Sequence, residues 1–239
     1  MKKSILFLLI SALSIFSYQA YAHGVWLAER VGEQTIVLGE GAVDDAYQPE
    51  KVLFVKSIDK DGNITDAKIN KHEKNVSVAV DDNATAIVFR FDNGFWTQNQ
   101  DGKWVNRPKN EVESAKSAGR YMKSGIAIVN KGSTVKPIAD FDLQIVPKVN
   151  PLTLKAGDKL VVTVLFKGKP VKGAKVMRDY NNYYTDAVNT DENGEAEVVI
   201  RNEGLNVIAV GHKVDVENDP KADKYGYMST LSFTFPFGE

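Results

Sequence analysis

The sequence predicts an all-β protein made of two tandem β-sandwich domains, with one short helix in the first. Three observations carry this expectation. Short apolar runs rich in Val and Ile recur along the whole chain, several of them alternating with polar residues. Clusters of Gly, Asn and Asp separate these runs at close intervals, the spacing of sandwich and barrel folds. The 239 residues are 43% hydrophobic and 26% charged, the balance of a folded globular chain long enough for one large β domain or two ordinary ones.

Residues 1–22 read as a secretory signal. Met1, Lys2 and Lys3 form a positive start, residues 4–16 an apolar core too short to span a bilayer comfortably, and residues 17–22 a small, polar end. The closing Ala20-Tyr21-Ala22 predicts cleavage after Ala22, so that the mature chain begins at His23. Removing the segment takes away Lys2 and Lys3 and no acid, moving the net charge from −1 to −3. So mild a balance argues against nucleic-acid binding through a basic surface. No cysteine follows the apolar core, which excludes lipoprotein anchoring, and the mature protein is expected to be soluble in a bacterial periplasm. The complete absence of Cys fits an oxidising compartment and excludes disulfides, thiolate metal sites, iron–sulfur clusters and a cysteine nucleophile.

The first domain, residues 23–136, opens with strand-like runs at 35–38, 52–55, 76–80 and 86–91. Asp61-Gly62-Asn63 is a hairpin-type turn between two of them. An aromatic hairpin follows, with Trp96 and Trp104 on its arms. These two read either as a stacking platform for a sugar or as a cross-strand pair closing the core edge, and the second fits better because no carboxylate pair or amide cluster accompanies them. Residues 111–123, with Ala115, Ala118 and Met122, read as the short helix. The second domain, residues 137–239, starts beyond Pro137 with strands at 142–146, 160–166, 174–176, 198–200, 206–212 and 228–235. Tyr180, Tyr183 and Tyr184 lie in a polar loop and are expected to be partly packed at most.

The run from Gly168 to Val176 (GKPVKGAKV), then Thr190 to Ile200 (TDENGEAEVVI) and Gly204 to His212 (GLNVIAVGH), resembles the small sandwiches of the transthyretin-like and Cna-B-like, immunoglobulin-like type. Its glycines suit turns with positive φ, and Asp191 and Asn193 can bond their own backbone. The mature chain as a whole resembles a family of exported bacterial proteins of unknown function that occur near nickel and cobalt uptake systems. The matching pieces are Ala22, His23, Trp26 and Leu27; Gly39 to Gly41; Gly94 to Thr97, Asp101 to Trp104 and Arg107 to Lys109; Ala209 to Val214; and Asp219, Pro220, Asp223 and Tyr227 to Phe233. The resemblance implies a periplasmic location and transition-metal handling.

The candidate site starts from His23. A histidine in first position offers its α-amine and its Nδ1 to one ion and so closes a chelate ring that an internal histidine cannot. His212, at the end of an apolar strand, is the expected second nitrogen ligand, and Glu40, between two glycines at a strand end, the expected oxygen donor. Asp44, Asp45, Asp215, Asp219 and Asp223 are alternatives. His72 sits in a charged turn and reads as a surface residue. Such a donor set suits nickel, cobalt, copper or zinc, and inherent affinity favours copper. The resemblance favours nickel or cobalt and implies binding or delivery of the ion to an inner-membrane transporter, with no enzymatic step and a monomeric protein. Two rival readings stand beside it: a metal-free interaction module, and a copper oxidase using an N-terminal histidine brace. No Gly-x-Ser-x-Gly, His-Glu-x-x-His or phosphate-cradling glycine loop points to a hydrolase.

Overall fold

A computed structural model describes residues 23–183 and 185–236. The expected signal segment and its cleavage point lie outside the described residues. The chain is all-β, as expected. Its strands are β1 (Gly24–Arg30), β2 (Glu33–Glu40), β3 (Val43–Asp45), β4 (Val52–Asp59), β5 (Ile64–Asp66), β6 (Lys68–Lys71), β7 (Val76–Ala79), β8 (Ala84–Gln98) and β9 (Trp104–Val105). They continue with β10 (Ser117–Ile128), β11 (Leu143–Pro147), β12 (Lys159–Phe166), β13 (Lys169–Pro170), β14 (Lys175–Met177), β15 (Ala187–Asn189), β16 (Glu195–Val199), β17 (Leu205–Asp215) and β18 (Lys224–Thr234).

These strands form three sheets. The first runs β1-β2-β7-β6, with β3 added on β2. The central sheet has nine strands in the order β15-β14-β17-β18-β10-β8-β4-β5, with β9 on β8. The third runs β11-β12-β13, with β16 on β12. Alternate residues of the central strands feed two cores. Ile87, Phe89 and Phe91 meet Val25, Leu27, Ile36 and Leu38 of the first sheet. Val88, Ile126, Val210 and Leu231 meet Leu143, Ile145, Val162 and Val198 of the third. A strand buried on both faces needs apolar side chains at successive positions, which explains the unbroken run at residues 86–89.

The expected boundary at residues 136/137 does not divide the sheets. Strand β10, from the first half, pairs in parallel with β18, from the second, from Gly119↔Lys224 to Ile128↔Phe233. One core cluster takes residues from Ile58 to Phe233 and so spans both halves.

The expected helix at 111–123 is a correction. That stretch holds only the end of a 3-10 turn at Lys109–Glu111 and then enters strand β10. Ala118 and Met122 are four residues apart, so they share a face in a strand as they nearly do in a helix. Pairing on both sides, with β8 and β18, decides the outcome over local propensity. The aromatic hairpin does form, as β8 and β9, but Trp104 stands opposite Gln98 rather than Trp96. Trp96 is half-buried and donates its indole N–H to the Asn93 carbonyl at 3.1 Å, while Trp104 is exposed.

Candidate functional site

Two hairpins build the surroundings of His23. Strands β1 and β2 pair from Arg30↔Glu33 to Gly24↔Gly39, joined by a two-residue turn with Val31 and Gly32 both at positive φ. Extending that register by one residue sets His23 opposite Glu40. Strand β3 then folds back on β2, with Glu40↔Val43 and Leu38↔Asp45 paired. The second hairpin thus delivers two carboxylates to one histidine. His23 Nε2 lies 3.8 Å from Glu40 Oε2, and its Nδ1 lies 3.3 Å from Asp45 Oδ2. The imidazole side chain is 50% exposed, which leaves the ring open to an incoming ion.

Behind the ring the surroundings are closed. Lys123, on β10, is 2% exposed and its Nζ donates to the His23 carbonyl. Burial pulls its ammonium down to about 7, and the nearby charge of Lys51 adds to the effect. Tyr180 is completely buried and packs edge-on against Trp26, ring centroids 6.0 Å apart. Its hydroxyl accepts from the Gly24 N–H at 2.9 Å and donates to the Gly39 carbonyl at 3.2 Å. Thr230 on β18 donates to the Val25 carbonyl. Strand β1 has a ladder partner only in β2, and these side chains from the rest of the fold occupy its other edge.

Of the expected ligands, the structure brings His23 and Glu40 together and leaves His212 apart. His212 follows Ile208 and Val210 on the β17 face that packs against the third sheet. Its ring lies 4.4 Å, centroid to centroid, from Phe166, and burial lowers its pKa. His23 sits on the opposite side of the central sheet, over Lys123 and the Met228 strand position next to it. The alternative carboxylates sort themselves by partner. Asp44 takes the Arg30 guanidinium at 2.5 Å. Asp219 takes the Tyr225 hydroxyl at 2.6 Å, which with the Lys221 N–H holds it below the usual carboxylate range. Asp223 is lowered likewise, by Lys109 first and then the Ala118 N–H. His72 contacts Glu33 at 3.0 Å and Ser77 at 3.1 Å near the sheet edge.

Among the described residues, no three His, Asp or Glu side chains converge as a ready-made metal cage. The donors at His23 therefore fit an open site, in which a terminal amine would supply the missing nitrogen and the two carboxylates would balance charge. Sequence reasoning missed Lys123 and Tyr180. Tyr180 carried no local mark that set it apart from Tyr183, which is exposed. Lys123 was hidden inside the segment read as a polar helix.

Residues 20–214 match the family described as "Domain of unknown function (DUF4198)". An uncharacterised protein of Haemophilus influenzae is 26% identical over 158 residues, covering 66% of this chain and 67% of that one. No solved structure matches the chain.

Proposed function

The chain belongs to the DUF4198 family, and from the geometry at His23 we propose that it binds a divalent transition-metal ion in the periplasm and delivers it to an uptake system. One observation carries the reading: a half-exposed histidine whose two ring nitrogens face two carboxylates, at the position where signal cleavage would create a free amine. Cleavage after Ala22 turns His23 into a bidentate nitrogen donor, and Glu40 and Asp45 add oxygen. Two nitrogens with one or two carboxylates suit nickel, cobalt, copper or zinc. The family resemblance in the sequence favours nickel or cobalt as the cargo and an inner-membrane transporter as the recipient. His212 has no part in this site.

Calorimetric titration of the protein beginning at His23 tests the reading. Nickel, cobalt, copper and zinc are compared, beside a version with one residue added ahead of His23 and beside His212→Ala. One-to-one binding that the added residue abolishes and His212→Ala leaves intact is the expected result. Affinity should also fall in mild acid, because the amine and imidazole must lose protons to bind. Equal binding by the extended version would move the site elsewhere. Absence of binding would leave the interaction-module reading as the better account.

A further inference from the structure

We propose that Lys123 and Tyr180 form a clamp on the His23–Gly24 peptide and are positioning residues of the metal site, an inference that rests on the metal-binding reading above. The two hydrogen bonds fall on a single peptide group. Lys123 Nζ donates to its carbonyl, and the Tyr180 hydroxyl accepts from its N–H at 2.9 Å. The two arms come from 100 and 156 residues away in the chain, so neither is a product of local folding.

The cost of each arm argues for a purpose. A buried ammonium is expensive unless an opposite charge compensates it. Among the described residues no carboxylate forms an ion pair with Lys123, and its one printed polar contact is the His23 carbonyl. An apolar residue would serve packing better at that position. Tyr180 needs an equally special setting. A Cβ on Gly24 would come within 2.8 Å of the phenol ring, so the glycine makes room for the hydroxyl to reach the backbone. The phenol then bridges Gly24 and Gly39, the last pair of the β1–β2 ladder.

Holding this peptide fixes the plane from which the His23 Cα projects. That sets where both the amine and the imidazole point, toward Glu40 and Asp45. The terminal residue of a chain is otherwise its most mobile part, and a chelate assembled from a mobile end loses affinity to the ordering it requires.

The test uses chains that begin at His23: wild type, Lys123→Met, Lys123→Gln and Tyr180→Phe. Nickel affinity is measured by calorimetry, and the visible absorption of the cobalt complex reports ligand geometry. Far-UV circular dichroism and metal-free urea unfolding establish that each variant is folded. Lys123→Met and Tyr180→Phe should weaken nickel binding by about 10- to 100-fold, the usual effect of removing a group that orients a ligand, and should shift the cobalt bands. Lys123→Gln keeps a donor without the charge and should recover most of the affinity. Folded variants that bind with wild-type affinity and an unchanged cobalt spectrum would overturn the clamp while leaving the metal reading intact. A wild-type protein that takes up neither metal removes both. Should Lys123→Met not fold, Tyr180→Phe and Lys123→Gln still decide the matter, because each changes only a few atoms.

Discussion

Gly39 shows how much one residue carries near the candidate site. A Cβ there would lie 1.9 Å from the Val43 carbonyl oxygen and 3.1 Å from the Trp26 ring. The first contact is with backbone, which cannot swing aside. Its own carbonyl accepts from Tyr180. Gly39→Ala must therefore open the β2–β3 hairpin, moving Glu40 and Asp45 away from His23. The cost expected is about 1–3 kcal/mol, as for other overpacked sites, read as a lower urea midpoint, together with weaker nickel binding. Wild-type stability and affinity in that variant would show that the hairpin relaxes freely and that its closeness to His23 is unimportant. Glu40 itself was legible in the sequence as a strand-end carboxylate between glycines. Asp45 was one of several equivalent acids until the others proved to be engaged by Arg30, Tyr225 and Lys109.

Strands β2 and β7 are tied by Tyr47, which lies in the connection after β3. Its hydroxyl donates to the Ile36 carbonyl at 2.7 Å and accepts from the Val76 N–H at 3.0 Å, at the end of their ladder, Ile36↔Val76. Its ring meets Phe91 edge-on, centroids 5.1 Å apart. Burial pushes this phenol up to about 12, against a smaller opposing pull from the Val76 N–H. An unfolded tyrosine releases its proton near pH 10. Between that value and about 12 the unfolded chain holds fewer protons than the folded one, so stability is intact below pH 10 and falls as pH rises through the window. The loss should reach about 3 kcal/mol at most, seen as a falling urea midpoint. Tyr47→Phe should flatten that alkaline slope while costing about 1–3 kcal/mol at neutral pH, because two buried backbone groups lose their partner. An unchanged slope would show that other groups govern alkaline unfolding.

The central sheet makes the molecule one cooperative body. Strands β10 and β18 pair across the chain's two halves, and cutting at residue 136/137 would strip β10 of a neighbour and expose the core shared by Ile126, Val162 and Leu231. Calorimetry should accordingly give one transition with equal calorimetric and van't Hoff enthalpies. Segments 23–136 and 137–239 expressed alone should lack a cooperative transition. Two separate transitions, or a folded isolated half, would show that the shared sheet is dispensable.

What the sequence determined by itself was local. Apolar alternation and turn residues placed most strands, because a strand's burial pattern and a turn's φ are written in neighbouring residues. Asp61-Gly62-Asn63 and the Asp191-to-Gly194 turn formed as read, with Asp59 and Asp191 accepting from the backbone of their own turns. Tertiary structure alone decided which strands became neighbours. It turned 117–123 into a strand through partners on both sides, set His212 and His23 on opposite faces of one sheet, and carried Lys123 and Tyr180 to the same peptide bond. Contacts over 100 or more residues depend on sheet order and register, and no short window of sequence contains either.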